Sequence, residues 1–203
     1  MNNLKRLVST IQSNEVDDKE LLYKDIQEMI LAIDEGAKRT TEIVKSLRMF
    51  TKEDVKNKTN FNVIIGIEST LLLLSNRIKD RIRIEKEFSS EILMLYCFPS
   101  QLNQVFMNIL TNAIESIEGN GTIRISAKET RNEAKFEIQD TGIGISPNLY
   151  SKIFEPFYST KGAKNGTGLG LSISHSILAK HNGSISISAN KPVGTVVLIT
   201  IPL

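Results

Sequence analysis

The sequence predicts an α+β fold in which helices cover one face of a mixed β-sheet, preceded by a segment that is helical only. Up to about residue 58, apolar residues recur every three or four positions, as in helices. Beyond it, helical and alternating patterns occur in separate runs, which is typical of a two-layer α/β sandwich. We therefore expect two domains, residues 1–58 and residues 59–203.

Composition excludes several classes of protein. The chain has 203 residues, of which 40% are hydrophobic, enough for one core and a small appendage. Its 25 basic and 23 acidic residues form no clustered basic face, which argues against nucleic acid as a partner. The longest apolar run, residues 71–74, is too short to span a membrane, and the first six residues lead into no signal-peptide pattern. The single cysteine, Cys97, suits a reducing compartment, so we expect a cytoplasmic protein.

The helical segment has the pattern of a coiled coil or an antiparallel bundle, with steps that alternate between four and three residues. Its seam comprises Leu22, Ile26, Met29, Ile33, Gly36, Thr40, Ile43, Leu47 and Phe50. Ile30, Ala37 and Val44 widen the stripe, as a four-helix bundle requires. An earlier helix is indicated by Leu4, Leu7, Val8 and Ile11. Two helices this short bury little alone, so we expect a homodimer through residues 19–50. The alternative is a surface helix folded onto the following domain.

After a polar linker, residues 51–60, the patterns predict the elements of the second domain. Helices are expected at 64–78, 100–117 and 169–180, with a short one at 150–154, and strands at 82–88, 92–97, 122–128, 134–139, 185–189 and 195–201. Ser100 is the expected N-cap of the central helix, which Gly119-Asn120-Gly121 ends.

The predicted helix 100–117 carries a polar row opposite its apolar face. The row consists of Gln104, Asn108, Asn112 and Glu115. Because Asn108 and Asn112 are four residues apart, their carboxamides lie on one side of the helix. Amide oxygens are hard ligands that suit a magnesium ion that also holds phosphates and waters. The alternative is a solvated polar stripe.

Two glycine-containing turns follow this helix. The first, Asp140-Thr141-Gly142-Ile143-Gly144, ends a strand with a carboxylate that can accept a hydrogen bond from an exocyclic amine. The second, residues 166–171 (Gly-Thr-Gly-Leu-Gly-Leu), opens a helix whose N–H groups can cradle anionic oxygens. It matches neither the dinucleotide-binding template nor the P-loop. Each turn alone is a weak signal.

A long polar loop joins the two turns and is typical of a nucleotide lid. It includes residues 154–161, Phe-Glu-Pro-Phe-Tyr-Ser-Thr-Lys. Lys161 could reach a terminal phosphate as a point charge.

In their order and spacing, residues 108–113, 140–144, 154–161 and 166–171 closely resemble the N, G1, F and G2 boxes of sensor histidine kinases. These kinases belong to the GHKL ATP-binding superfamily, and the resemblance covers about residues 60–203. It implies a two-layer α/β sandwich of the GHKL type, ATP and Mg²⁺ as cofactors, and a place in two-component signal transduction.

The resemblance also implies a role for each matching residue. Asp140 would bind the adenine amino group, Asn112, helped by Asn108, would hold Mg²⁺, and Lys161 would contact the γ-phosphate. The other residues expected to bind the nucleotide, in the pocket and the lid, are Gly142, Gly144, Gly166, Thr167, Gly168, Leu169 and Gly170.

One position distinguishes a kinase from an ATPase of the same superfamily. The ATPases carry a glutamate one turn before the magnesium asparagine, where it serves as general base for water. Here that position is Asn108, and an amide cannot take up a proton at neutral pH. The sequence therefore favours phosphotransfer to a protein nucleophile.

The expected acceptor is missing from these residues. Histidine kinases carry the acceptor histidine in the first helix of a dimerisation hairpin, with an acid and a proline after it. No histidine or proline precedes Pro99, and the two histidines, His175 and His181, are expected to be surface or capping residues. Residues 33–50 resemble the second helix of that hairpin. We therefore expect the acceptor histidine outside this chain, and a response regulator as a further partner.

Three hypotheses remain. The chain is the donor half of a histidine kinase, an ATP-driven clamp of the GHKL type, or a non-catalytic ATP-binding or dimerising module that regulates a partner kinase.

Overall fold

The computed structural model describes residues 23–31, 33–34, 37, 57–159 and 168–203. The chain divides into two compact units, Met1–Lys45 and Ser46–Leu203. In the first unit, residues 23–31, 33–34 and 37 are helical, with the side chains of Ile30 and Ile33 exposed. The other residues of the predicted dimerisation segment lie outside the described residues.

The second unit contains seven strands and four α-helices among its described residues. The strands are β1 (Thr59–Asn62), β2 (Ile82–Phe88), β3 (Met94–Cys97), β4 (Gly121–Glu129), β5 (Glu133–Asp140), β6 (Ser184–Ala189) and β7 (Thr195–Pro202). The helices are α1 (Val63–Leu73), α2 (Ser75–Ile78), α3 (Pro99–Ser116) and α4 (Gly170–Lys180), with 3-10 turns at Pro147–Leu149 and Lys152–Phe154.

Five strands form one mixed sheet in the order β2-β4-β5-β7-β6. Strands β2 and β4 are parallel, and the other neighbours are antiparallel. Strands β1 and β3 form a separate antiparallel pair. Together with the helices this is the predicted α+β arrangement, so the fold class is confirmed.

The core lies between this sheet and the helices, with α3 in contact with α1, α4 and β5. Seven apolar side chains of α3 are buried, because they follow the helical period, and Asn103 is buried beside them. Phe106 of α3 meets Phe136 of β5 edge-to-face at 5.4 Å between ring centroids. On β5 the inward positions are Ala134, Phe136, Ile138 and Asp140. The last inward position is thus a carboxylate instead of an apolar side chain.

Several element boundaries differ from the predictions. Strand β1 lies partly in the predicted linker, because its polar residues pair with β3 in a two-stranded sheet exposed on one side. The predicted helix 64–78 is two helices that meet at the buried Leu74. The N-cap of α3 is Phe98 instead of Ser100, since Pro99 takes the first helical position, where no N–H partner is needed. Within the described residues no helix is both long and apolar enough for a membrane span.

Candidate functional site

Asn108 connects α3 to the first turn of α4. Its Nδ2 donates hydrogen bonds to the carbonyl of Gly170 at 2.9 Å and to Ser174 Oγ at 3.2 Å. The carbonyl of Gly170 accepts only, so the amide nitrogen must face it and the oxygen of Asn108 remains an acceptor. A Cβ at Gly170 would lie 3.5 Å from Asn108 Cγ, so the two elements are in contact. The structure thus brings together Asn108 and the second glycine turn.

Asn112 lies one helical turn further along α3 and is half-buried. Its carboxamide forms no hydrogen bond within the part of the chain that the structure describes. Two amide oxygens on one helix face fit a Mg²⁺ ion that takes its other ligands from phosphates and water. No group of three or more His, Cys, Asp or Glu side chains suited to a metal exists among the described residues. The donor set therefore suits a cation that arrives with an anionic ligand.

Asp140, at the end of β5, is a buried carboxylate with only 3% of its surface exposed. Its Oδ1 accepts hydrogen bonds from the N–H of Gly142 at 2.8 Å and the N–H of Thr195 at 3.2 Å. It also accepts at 3.2 Å from the hydroxyl of Ser116, whose proton is shared with the carbonyl of Ala113 at 2.8 Å. These donors come from the loop after β5, from the end of α3 and from the start of β7. The carboxylate is therefore fixed from three sides.

Burial raises the pKa of the Asp140 carboxyl above its ordinary value, because desolvation disfavours the charged form. The hydrogen bonds from the N–H groups of Gly142 and Thr195, and from the hydroxyls of Ser116 and Thr195, lower the pKa and only partly offset this effect. Ionised Asp140 therefore makes the unliganded fold less stable than a neutral side chain of the same shape would.

This shift predicts how Asp140→Asn changes stability with pH. A pKa that is higher in the folded state means that the cost of ionisation is absent below the unfolded value of 3.8. The cost grows as pH rises from the unfolded pKa to the folded pKa, and it is fully present above the folded pKa. The free energy of unfolding of Asp140→Asn relative to wild type should therefore rise across this window and then level off. Urea unfolding from pH 3.5 to pH 8 measures it, and an advantage that shrinks with rising pH would contradict the assignment.

The first glycine turn is attached to the C-terminal end of α3. The N–H of Ile143 donates to the carbonyl of Ser116 at 3.0 Å, and a Cβ on Gly142 would overlap Ser116 Oγ. Arg81 Nη2 caps the same helix end by donating to the carbonyls of Ile114 at 2.8 Å and Ile117 at 3.0 Å. Helix α3 thus contacts the first glycine turn at Ser116 and the second at Asn108. These contacts are about 12 Å apart along the helix axis.

Gly142→Ala should destabilise the protein because its methyl group would collide with Ser116. Overpacking of this kind costs about 1–3 kcal/mol. Gly119 is a matched control: it has a positive φ of 74°, but a Cβ there meets nothing within 4 Å. Denaturant unfolding should show a larger loss for Gly142→Ala than for Gly119→Ala. Equal tolerance of the two changes would mean that the turn is not held against α3.

The second glycine turn contacts the loop after the 3-10 turns. The N–H of Phe157 donates to the carbonyl of Gly168 at 3.0 Å. Gly168 has a φ of +64°, and a Cβ there would lie 2.7 Å from the carbonyl oxygen of Tyr158. Residues 157 and 168 therefore lie side by side, and Leu169 follows directly before α4. The predicted nucleotide-binding residues Lys161, Gly166 and Thr167 lie outside the described residues.

Gly144 lies beside the turn between β6 and β7. A Cβ on Gly144, whose φ is +75°, would lie 3.2 Å from the carbonyl oxygen of Gly194. Three residues that contact Asp140 were missed as site residues: Ser116, Thr195 and Asn190. The only signal in the sequence was the alternation of β5, which places Asp140 at an inward position. A buried carboxylate requires hydrogen-bond donors around it.

Both histidines contact other residues of the domain. His181 is the C-cap residue of α4, as predicted, and it is also buried. Its Nε2 accepts from the N–H of Phe98 at 3.1 Å, so its Nδ1 carries the proton and donates to the carbonyl of Ile177 at 2.8 Å. His175 is exposed on α4, as predicted, and its ring lies 5.6 Å from that of Phe154. His181 therefore has neither ring nitrogen available as a nucleophile.

Comparison with known proteins gives a consistent result. Residues 98–203 match the family model described as "Histidine kinase-, DNA gyrase B-, and HSP90-like ATPase". Sporulation kinase C of Bacillus subtilis (strain 168) is 34% identical over 183 residues, which is 89% of this chain and 42% of that protein. This chain spans less than half of each of the first curated relatives that it matches.

Solved structures agree with this match. The catalytic domain of histidine kinase ThkA is 33% identical, with a TM-score of 0.65, over 71% of this chain and 96% of that domain. Histidine kinase ThkA in complex with the response regulator protein TrrA is 27% identical, with a TM-score of 0.64, over 99% of this chain and 57% of that one. The chain therefore belongs to the family of histidine kinase-, DNA gyrase B- and HSP90-like ATPases, in which its residues 98–203 form a catalytic domain of the histidine kinase type.

Proposed function

We propose that this chain binds Mg²⁺–ATP and transfers its γ-phosphate to a histidine that lies outside these 203 residues, in two-component signalling. The observation that carries this proposal is the position of α3, which contacts one glycine turn through Ser116 and the other through Asn108. A single extended nucleotide along this helix would reach all three elements.

The nucleotide would lie with its adenine at the Ser116 end and its phosphates at the Asn108 end. Asp140 is fixed beside Ser116 and would accept a hydrogen bond from the exocyclic amine of adenine. Asn112 lies four residues, or about 6 Å, from both Ser116 and Asn108. Its free carboxamide oxygen, with that of Asn108, would hold Mg²⁺ against the phosphates, and the ion would neutralise charge on them. Lys161 would contact the γ-phosphate.

Transfer to a protein nucleophile is preferred over hydrolysis because α3 offers no general base. The amide of Asn108 faces Gly170 and Ser174 and cannot accept a proton. Glu115, the acid on α3 beyond Asn112, forms an ion pair with Arg77 at 2.7 Å. The clamp hypothesis also lacks support from the relatives, which are named as kinases.

The partners follow from the same proposal. His181 has both ring nitrogens engaged, and His175 lies on α4 inside the catalytic domain. The phosphate would therefore go to a histidine of a dimerisation domain and then to a response regulator. The ThkA complex, whose partner is a response regulator, supports the second step. Exposed Ile30 and Ile33 in the helical unit support a homodimer through residues 19–50, with residues 1–58 as part of the dimerisation hairpin. We place this kinase in the cytoplasm, where ATP is supplied.

The direct test is phosphotransfer to a supplied acceptor. The chain is incubated with Mg²⁺ and γ-labelled ATP, with and without a separate dimerisation-domain polypeptide that carries the acceptor histidine. We expect acid-labile label on that polypeptide, none when its histidine is replaced by Gln, and little phosphate release without it. Steady hydrolysis in the absence of acceptor would favour the clamp. ATP binding without label on any of a panel of acceptors would favour the non-catalytic module.

A further inference from the structure

The turn between β6 and β7, residues 190–194, lies directly on the last residue of β5. Asn190 Nδ2 donates to the backbone carbonyl of Asp140 at 2.8 Å. The same side chain accepts from the N–H of Lys191 at 2.9 Å, and the N–H of Asn190 donates to the carbonyl of Gly194 at 3.0 Å. One asparagine thus closes its own turn and holds the backbone of Asp140.

This contact replaces the regular sheet pairing at the end of β5. Strands β5 and β7 pair as far as Gln139 and Val196, so the next antiparallel position sets Asp140 opposite Thr195. There the N–H of Thr195 donates to the carboxylate of Asp140 instead of to its backbone carbonyl. The carbonyl receives the Asn190 amide instead. The Oδ1 atom and the backbone carbonyl of Asp140 therefore have different donors, and the carbonyl does not compete for the N–H of Thr195.

Gly194 shows how closely the turn lies on Asp140. It has a φ of +126°, which side chains rarely adopt, and any Cβ on it would overlap the carbonyl oxygen of Asp140. The turn is therefore in van der Waals contact with the backbone that carries the carboxylate, and a shift of the turn would move both.

We propose that Asn190 is a positioning residue for recognition of the exocyclic amine of adenine. It acts through Asp140, by holding the carbonyl so that the carboxylate keeps the Thr195 N–H and its orientation toward the amine. This inference rests on the proposed function, because it deepens the role assigned there to Asp140. Its distinctive consequence is selective: losing Asn190 weakens binding of nucleotides that carry the amine and spares those that lack it.

The test compares two nucleotides on the full chain, ATP and purine riboside triphosphate, which lacks the exocyclic amine. In Asn190→Ala we expect the Kd for ATP to rise about 3- to 10-fold, the worth of one hydrogen bond. The Kd for purine riboside triphosphate should change less than twofold. Asn190→Asp keeps the acceptor for the N–H of Lys191 but cannot donate to the Asp140 carbonyl, and its oxygen repels that carbonyl. It should therefore show a selective loss at least as large. Ser188→Ala, an exposed change in the same hairpin, should leave both values unchanged.

Unfolding midpoints measured without nucleotide establish that each variant is folded. If Asn190→Ala does not fold, the comparison of the two nucleotides is made with Asn190→Asp instead. An equal loss for both nucleotides, or no loss for either, overturns the role of Asn190. If wild type itself does not prefer ATP over purine riboside triphosphate, the role proposed for Asp140 fails first. The two failures are thereby distinguished.

Discussion

Asp140→Asn is expected to lower the affinity for ATP by roughly 10- to 100-fold while the protein remains folded. The carboxylate accepts from the adenine amine, whereas the Asn side chain can turn an amide N–H toward that amine, so a charge-assisted hydrogen bond worth about 1.5–3 kcal/mol is lost. The Oδ1 of Asn can still accept from Gly142, Ser116 and Thr195, which preserves the local fold. Calorimetric titration with ATP measures the affinity.

Glu129→Gln is the matched control for this variant. Glu129 is the last residue of β4, the neighbouring strand, but its side chain is exposed. Its neutralisation should leave the ATP affinity within twofold of wild type.

Because the neutral Asn side chain at position 140 relieves the cost of burying a charge, Asp140→Asn should unfold at a higher urea concentration than wild type at neutral pH without nucleotide. A variant that is both less stable and weaker in binding would instead indicate a general loss of structure.

Asn112→Ala is expected to reduce phosphotransfer about 100-fold or more. Its carboxamide is the free side-chain ligand midway along α3, and loss of a group that stabilises charge on the transferring phosphoryl typically costs 10²- to 10³-fold. The affinity for ADP without Mg²⁺ should hardly change, because the adenine contact remains. Gln104→Ala, two turns earlier in the same polar row and exposed, should keep full activity. If Asn112→Ala weakened nucleotide binding equally with and without Mg²⁺, a role in holding the ion would be contradicted.

Much of the fold could be predicted from the sequence because its apolar periods are local. Helix α3 was predicted to within one residue at each end, since seven of its apolar side chains are buried at the helical period. Strand β1 was missed because Thr59, Asn60 and Asn62 are polar, and only pairing with β3 makes them a strand. The break at Leu74 was missed because the apolar pattern continues through it.

The residues of the candidate site likewise fall into those that the sequence predicts and those that it does not. Asn108, Asn112 and Asp140 stood out because each is a polar group in a motif with fixed spacing. The residues that hold Asp140, namely Ser116, Thr195 and Asn190, are 24, 55 and 50 positions away in sequence. A hydrogen bond over such a distance leaves no periodic pattern, and Ser, Thr and Asn are common in turns for local reasons. Only the folded structure identifies them.

The central claim is that α3 and the two glycine turns bind one Mg²⁺–ATP molecule. A crystal structure of the chain with Mg²⁺ and a non-hydrolysable ATP analogue tests it most directly. We predict the adenine amine within hydrogen-bond distance of the Asp140 carboxylate, and Mg²⁺ at about 2.1 Å from the Asn112 carboxamide oxygen. The claim would be contradicted by a nucleotide that binds with Asp140 and Asn112 untouched, for example in the cavity of about 550 Å³ that Gln101, Ser176 and Lys180 help to line.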